Sequence, residues 1–168
     1  MIEPQDLVAR FGLEPLPVEG GFFRQYWRSP AGTAILFLVT DTPEGFSQFH
    51  RLDVDEIWHA YLGDPLDLVL LEPGGTSRHV RLGPDVLGGH DVVAVVPAGV
   101  WMAARTTGRW SLTGMTMAPG YTDERYEDGD RDALLAGWPH EAAAIEALTR
   151  PSARGASADP KGRRRARR

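Results

Sequence analysis

Apolar positions along this chain fall into short runs separated by Gly, Pro and Asp, and the rhythm changes at both ends. In residues 5–11, Leu7, Val8 and Phe11 lie at helical spacing, and Gly12 follows where a helix commonly ends in a left-handed residue. The spacing predicts a short N-terminal helix. From there to about Met117 the signals are those of strands: residues 34–40, 66–71 and 91–96 are apolar runs. Turn residues bound them, as in Asp41-Thr42-Pro43-Glu44-Gly45, Gly63-Asp64-Pro65, Glu72-Pro73-Gly74-Gly75 and Pro97-Ala98-Gly99. Short strands at spacings of roughly ten residues predict an antiparallel sandwich or barrel rather than βαβ units. Helical spacing returns with Leu134, Leu135, Trp138, Ala142, Ile145 and Leu148, interrupted by Pro139, which predicts two short helices packed on the sheet. His79 and His90 fall in polar, Gly-rich segments that read as turns.

Composition narrows this to one all-β-dominated domain. A chain of 168 residues with 42% hydrophobic content can bury one good core and is short for two. Residues 1–149 are the expected domain. With no cysteine, disulfides, thiolate nucleophiles and zinc ribbons are excluded. No apolar stretch approaches the ~20 residues that span a bilayer, and residues 1–6 lack the basic and then apolar run of a signal peptide. A cytoplasmic protein with no membrane partner is expected. The net charge of -5 is divided unevenly. Eight Lys and Arg from Arg150 onward, against the single acid Asp159, give +7 and leave -12 on the residues before them. An acidic body does not suit a nucleic-acid partner, because phosphate contacts need a positive folded surface. Residues 150–168 are rich in Pro, Gly, Ala and Ser beside their charge, and read as a disordered, solvated basic tail.

Polar chemistry interrupts the apolar pattern most sharply in Phe49-His50-Arg51-Leu52-Asp53-Val54-Asp55-Glu56-Ile57-Trp58-His59. Phe46, Gln48, His50 and Leu52 alternate along one strand face, and Glu56 resumes that face after a turn, so His50 and Glu56 are both expected to project inward. His59, three residues beyond Glu56, should point to the opposite side. An imidazole oriented by a carboxylate makes a general base working near neutrality.

Six blocks in order then carry a family resemblance: Glu19-Gly20-Gly21-Phe22-Phe23-Arg24, Phe49-His50-Arg51-Leu52, Asp55-Glu56-Ile57-Trp58, Gly63-Asp64-Pro65-Leu66, Val96-Pro97-Ala98-Gly99-Val100-Trp101 and Ala118-Pro119-Gly120-Tyr121. Over about residues 5–148 the chain resembles the Cupin 5 family, small cupins that are mostly uncharacterised. The resemblance implies a double-stranded β-helix, a jelly-roll barrel open at one end, with a small-molecule ligand inside, short helices at the N- and C-terminal ends, and a homodimer. It supplies no reaction, since relatives by fold include epimerases, dioxygenases, decarboxylases and storage proteins.

A cupin metal is held by two His and one Glu of a first motif and one His of a second. Here the first motif keeps His50, Glu56 and Gly63, while Leu52 stands in place of its second His and Met102 in place of the His of the second motif. A catalytic first-row metal generally needs at least three protein ligands. No cofactor is therefore expected; any metal that did bind would use His50 and Glu56, opening oxygenase or lyase chemistry. The favoured expectation is metal-independent isomerase or epimerase chemistry on a small anionic or sugar-like substrate. Sugar-nucleotide epimerases of the cupin class work in this way, with a His base, an acidic partner and a Tyr acid. His50 is the expected base, Glu56 its carboxylate and Tyr61 the acid, with Tyr26 and Tyr121 as alternatives and Glu19 and Asp55 as further groups for the site. Arg24, Gln48, Arg51, Trp58, Trp101 and Arg105 are the expected substrate-binding residues, because an Arg fork matches an anion and an indole can wall a sugar. An ion pair between Arg51 and Asp55 is the structural alternative for that arginine. A binding protein without turnover is the third class.

Overall fold

The computed structural model describes residues 2–150. Of the expected tail, residues 150–168, only Arg150 is described, and it is not solvated tail but donates to the Val18, Glu19 and Phe46 carbonyls; the rest lies outside the described residues. Helix α1 (Pro4–Phe11) starts at a reciprocal cap in which the Glu3 backbone N–H donates to Asp6 Oδ2 at 3.0 Å, and it ends at Gly12 with φ 61°. Eleven strands follow: β1 (Glu14–Pro15), β2 (Phe22–Ser29), β3 (Gly32–Thr40), β4 (Ser47–Leu52), β5 (Glu56–Gly63), β6 (Leu66–Glu72), β7 (Thr76–Leu82), β8 (Val93–Val96), β9 (Trp101–Thr106), β10 (Trp110–Met117) and β11 (Tyr126–Asp128). Two helices, α2 (Arg131–Gly137) and α3 (Ala142–Ala147), close the described chain, with a single 3₁₀ turn at Pro139–Glu141 between them. The two short helices broken at Pro139 are thus observed. Asp130 caps α2 by accepting from the Ala133 N–H at 3.0 Å.

All pairings of named strands are antiparallel, and they form two sheets of order β1-β2-β3-β10-β5-β8 and β11-β4-β9-β6-β7. This is the jelly-roll arrangement that the pattern and the resemblance predict. The core between the sheets takes every second residue. On β6, Leu66, Leu68 and Leu70 face the barrel, while Val69 and Leu71 face α2 and α3. On β9, Met102 and Ala104 point in, while Trp101 and Ala103 point out beneath Leu134, Ile145 and Leu148. A sheet buried on both faces reads as a continuous apolar run, which is why β6 is visible in the sequence.

Two expectations change. His79 is not in a turn; it sits on β7, where its Nε2 meets Glu141 Oε1 at 2.9 Å. The even alternation from Phe46 to Leu52 is broken by a β-bulge: Ser47 lies opposite Ala104 and His50 opposite Met102, three residues on β4 against two on β9. Phe46 is thereby sent to the helix-covered layer, while Ser47 and His50 oppose inward-facing partners. No helix among the described residues is long and apolar enough to cross a membrane.

Candidate functional site

One end of the barrel holds a cavity of about 460 Å³, a size suited to a small ligand. Its floor is apolar, built from Leu16, Phe23, Ile35, Leu52, Met115 and Met117. Its polar groups are His50, Glu56, Glu19, Tyr121, Asp123, Tyr126 and Asp128, with Thr33 beside them.

His50 is 1% exposed, and its Nδ1 lies 2.8 Å from the Gln48 carbonyl oxygen. A carbonyl only accepts, so the neutral ring carries its proton on Nδ1 and keeps a lone pair on Nε2. Among the described residues Nε2 has no hydrogen-bond partner. The ring stacks on Tyr126 with centroids 5.1 Å apart and planes 18° apart. Strand β11 pairs with β4 so that Asp128 opposes His50 and Tyr126 opposes Leu52. Tyr126 Oη and Gln48 Nε2 each donate to Asp128 Oδ1 at 2.9 Å. Burial, with Glu19 and Asp128 nearby, holds the Tyr126 phenol above its ordinary pKa, so it remains a donor. Tyr121 is pushed up to about 12, first by burial and then by Asp123.

Glu56 opens β5, and its Oε2 accepts from Trp58 Nε1 at 2.8 Å. Burial, then the negative charge of Glu19, raises its pKa from 4.5 to about 8, against a smaller opposing effect of the Trp58 bond. At neutral pH Glu56 is therefore a buried carboxylic acid, able to give a proton. Glu19, 8% exposed, accepts from Ser47 Oγ at 2.8 Å through Oε1. The next two residues, Gly20 and Gly21, have φ of 98° and 68°, and a Cβ on Gly20 would collide with the Phe46 carbonyl and the Arg150 guanidinium. The Gly-Gly pair lets the chain fold Glu19 under that clamp and into the cavity.

The sequence profile of the cupin superfamily (DUF985) matches residues 5–128. This chain belongs to that family. Protein SO0799 from Shewanella oneidensis is 32% identical, with 90% of this chain and 99% of that one covered and a TM-score of 0.83. A hypothetical protein from Leishmania major is 26% identical, with 89% and 100% covered and a TM-score of 0.80. Enzymes share the fold at greater distance. Bacillus subtilis oxalate decarboxylase is 10% identical over 81% of this chain and 37% of its own, with a TM-score of 0.54. The Streptomyces nucleoside dehydratase Pac13, in a structure with uridine, is 14% identical over 68% and 82%, with a TM-score of 0.51. No curated protein matches the sequence.

The cupin donor set for a metal is not reproduced. Leu52 lines the cavity as a hydrocarbon, and Met102, 1% exposed, is packed in the core opposite His50. Among the described residues no group of three or more His, Asp or Glu is arranged to hold a metal ion.

Of the residues expected from sequence, His50 and Glu56 meet in this cavity, joined by Glu19 and Tyr121. Tyr61 does not. It is about half exposed on the outer face of β5, stacked on His59 at 6.3 Å, and lines a separate hollow with Gly63 and Asp64. Tyr26 is likewise exposed on β2. Trp58 is fully buried and acts on Glu56 rather than on a ligand. Gln48 acts through Asp128.

Trp101 lies in the helix-covered layer under the Arg51 guanidinium, 4.5 Å from its ring centroid. Arg51 pairs with Glu127 at 2.7 Å, not with Asp55, whose Oδ1 accepts from the Ala98 N–H at 2.9 Å. Arg24 donates to the Phe11 carbonyl at 2.8 Å, and Arg105 lies near Asp67 on the outside. The arginines expected to bind an anion thus all fall outside the cavity, and among the described residues its lining holds no Lys or Arg. Tyr126, Asp128 and Asp123 were not anticipated. The signal for the first two is the polar alternation Tyr126-Glu127-Asp128, which becomes readable only once β11 is placed against β4.

Proposed function

We propose that this cupin is a metal-independent acid/base enzyme of the isomerase or epimerase type, acting on a small hydroxylated carbonyl compound. The observation that carries this reading is the pairing, in one cavity, of an imidazole nitrogen with a free lone pair and a carboxyl group that keeps its proton at neutral pH. His50 Nε2 takes the proton from the carbon beside the substrate carbonyl. The electron pair moves to form the enol, and the carbonyl oxygen takes the proton of Glu56 through the oxygen that Trp58 does not occupy. As the carbonyl re-forms, the O–H proton of the intermediate passes to the Glu56 carboxylate. The His50 imidazolium then returns its proton to the neighbouring carbon of an enediol, which isomerises the compound. Alternatively the Tyr121 phenol gives one to the opposite face of the same carbon, which epimerises it and leaves a phenolate to be neutralised by the His50 proton through solvent. The apolar floor lowers the local dielectric around both groups, which strengthens both transfers.

An anionic substrate loses its support, because the arginines that suggested it lie elsewhere; the indoles expected to wall a sugar lie outside the cavity too, and the rings that line it in their place are Tyr121 and Tyr126. That a Pac13 structure was obtained with uridine fits a protein of this fold taking a small hydroxylated ligand. Solvent deuterium exchange into aldoses and ketoses, followed by NMR, is the test: exchange that vanishes in His50→Gln supports the reading, and a wild-type protein that exchanges no carbon-bound proton in any of them sinks it. The homodimer belongs to this proposal as well. Strand β8 ends its sheet with Val93 and Val95 about half exposed, and light scattering on the purified chain checks for two copies.

A further inference from the structure

Outside the cavity several acids of this chain are held by cations, and the acids there that lack one are surface groups open to water. Glu127 has Arg51, Glu3 has Arg109, Asp53 has Arg125, Asp67 has Arg81 and Glu72 has Arg78. Even Glu44, almost wholly exposed, lies 3.4 Å from Arg150. Inside, none of Glu19, Glu56, Asp123 and Asp128 has such a partner among the described residues. Glu19 is the sharpest instance. Its carboxylate is buried, offers about four acceptor sites and meets one neutral donor, Ser47. Arg150 comes close, yet its guanidinium goes to the backbone carbonyls of Val18, Glu19 and Phe46 and leaves the Glu19 side chain alone. A buried carboxylate is stable only with a counter-charge or a full set of donors, and the described residues supply neither.

A second observation is independent of the acids. Tyr121 and Tyr126 meet edge to face, with centroids 6.5 Å and planes 62° apart, and both line the cavity. Aromatic rings set at an angle around a site attract a positive group through their faces. A metal ion does not suit the same place, since Leu52 and Met102 leave the donor set short.

We infer that the ligand of this barrel carries an organic cation, an alkylammonium group such as that of an amino sugar, seated on the Glu19 carboxylate beside the Tyr121 and Tyr126 rings. Asp123 and Asp128 add negative charge around it. The inference rests on the acid/base reading for the carbonyl part of the ligand, which faces His50 and Glu56, and stands apart from it for the charge. An amino sugar supplies both: a protonated amine for Glu19 and a carbon-bound proton next to a carbonyl in its open form.

Isothermal titration of the full chain with matched pairs tests this: glucosamine against glucose, galactosamine against galactose, mannosamine against mannose, with gluconate as the anion. At least one amine should bind at least about tenfold more tightly than its neutral twin, as expected for a desolvated charge pair. Glu19→Gln should erase that advantage and Asp123→Asn, at an exposed position, should reduce it. Amines that bind no better than their twins, including no binding at all, overturn the inference. So does tighter binding of gluconate, an advantage that survives in Glu19→Gln, or stoichiometric divalent metal lost in that variant. The wild-type pairs decide even if Glu19→Gln fails to fold. Deuterium exchange in the same samples separates the two readings. Amine preference without exchange leaves the cation site and removes the enzyme, whereas exchange into neutral sugars without amine preference does the reverse.

Discussion

The ribbon formed by β4 and β11 has two faces, and they treat the same residue types in opposite ways. On the outer face Arg51 forks onto Glu127, with Nε and Nη2 donating at 2.8 and 3.0 Å, and lies over the Trp101 ring. Every charge there has a partner, and both side chains keep contact with water. One residue along on each strand, the inner face presents His50 and Asp128 to the cavity. There, among the described residues, the imidazole has an unused nitrogen and the nearby acids Glu19 and Glu56 have no cation. Charge that is neutralised on the spot stabilises a surface; charge held without a partner in a cavity is available to a ligand or a reaction. The pleat of a strand is enough to separate the two uses by a single residue.

The largest effect in this comparison belongs to His50. His50→Gln keeps a polar group of similar reach and removes the base, so deuterium exchange should fall by roughly 10²- to 10⁴-fold with the melting temperature little changed. Equal exchange in variant and wild type would end the case for the inner face as a reaction site.

Glu56→Gln comes next, and pH sharpens it. The acid must be protonated to act, so wild-type exchange should decline as pH rises through about 8. Stability carries the opposite sign for the variant. Below 4.5 the folded and unfolded chains both hold the proton; between 4.5 and about 8 the unfolded chain gives it up while the folded one retains it. Folding stability of the wild type therefore falls across that window and levels off above it. Glu56→Gln lacks this loss, and its stability relative to wild type should improve by a few kcal/mol between pH 5 and pH 8, as read by urea unfolding at each pH. A flat difference would mean that Glu56 is ionised in the folded protein. Trp58→Phe gives a smaller version of the same test. It removes the donor that lowers the Glu56 pKa, so the alkaline decline should move upward in pH, with roughly 1 kcal/mol of stability lost with the hydrogen bond.

How far the sequence could lead depends on what buries each element. Strands β3 and β6 stood out because apolar side chains are needed on both faces. Strand β7 did not, since only Val80 and Leu82 of Thr76–Leu82 are buried and the rest is polar surface. His50 and Glu56 were legible because a polar group in an apolar strand needs a reason. Glu19 was partly so, through the two glycines behind it. Tyr126 and Asp128 were hidden because β11 has three residues and no apolar run; only its register on β4 gives it a face. The arginines failed for a related reason. Their charge is plain in sequence, but the pleat that turns His50 inward turns Arg51 outward, and Arg105 follows Ala104 in the same way, so both guanidiniums fall on the outer face.

The smallest effect is expected on the outer face, and it is the control for the whole comparison. Arg51→Ala removes an ion pair whose side chains are 40% and 55% exposed, and such pairs contribute at most about 1 kcal/mol. Loss of the guanidinium from the Trp101 ring adds about another 0.5 to 1 kcal/mol. Because Arg51 alternates with His50 and never enters the cavity, exchange rate and amine preference should both stay within about twofold of wild type, a shift worth less than the ~1.4 kcal/mol of a tenfold change. A drop comparable to that of His50→Gln would mean that the two faces are coupled through β4. In that case Glu127→Ala, which cuts the same ion pair from β11, should reproduce the drop.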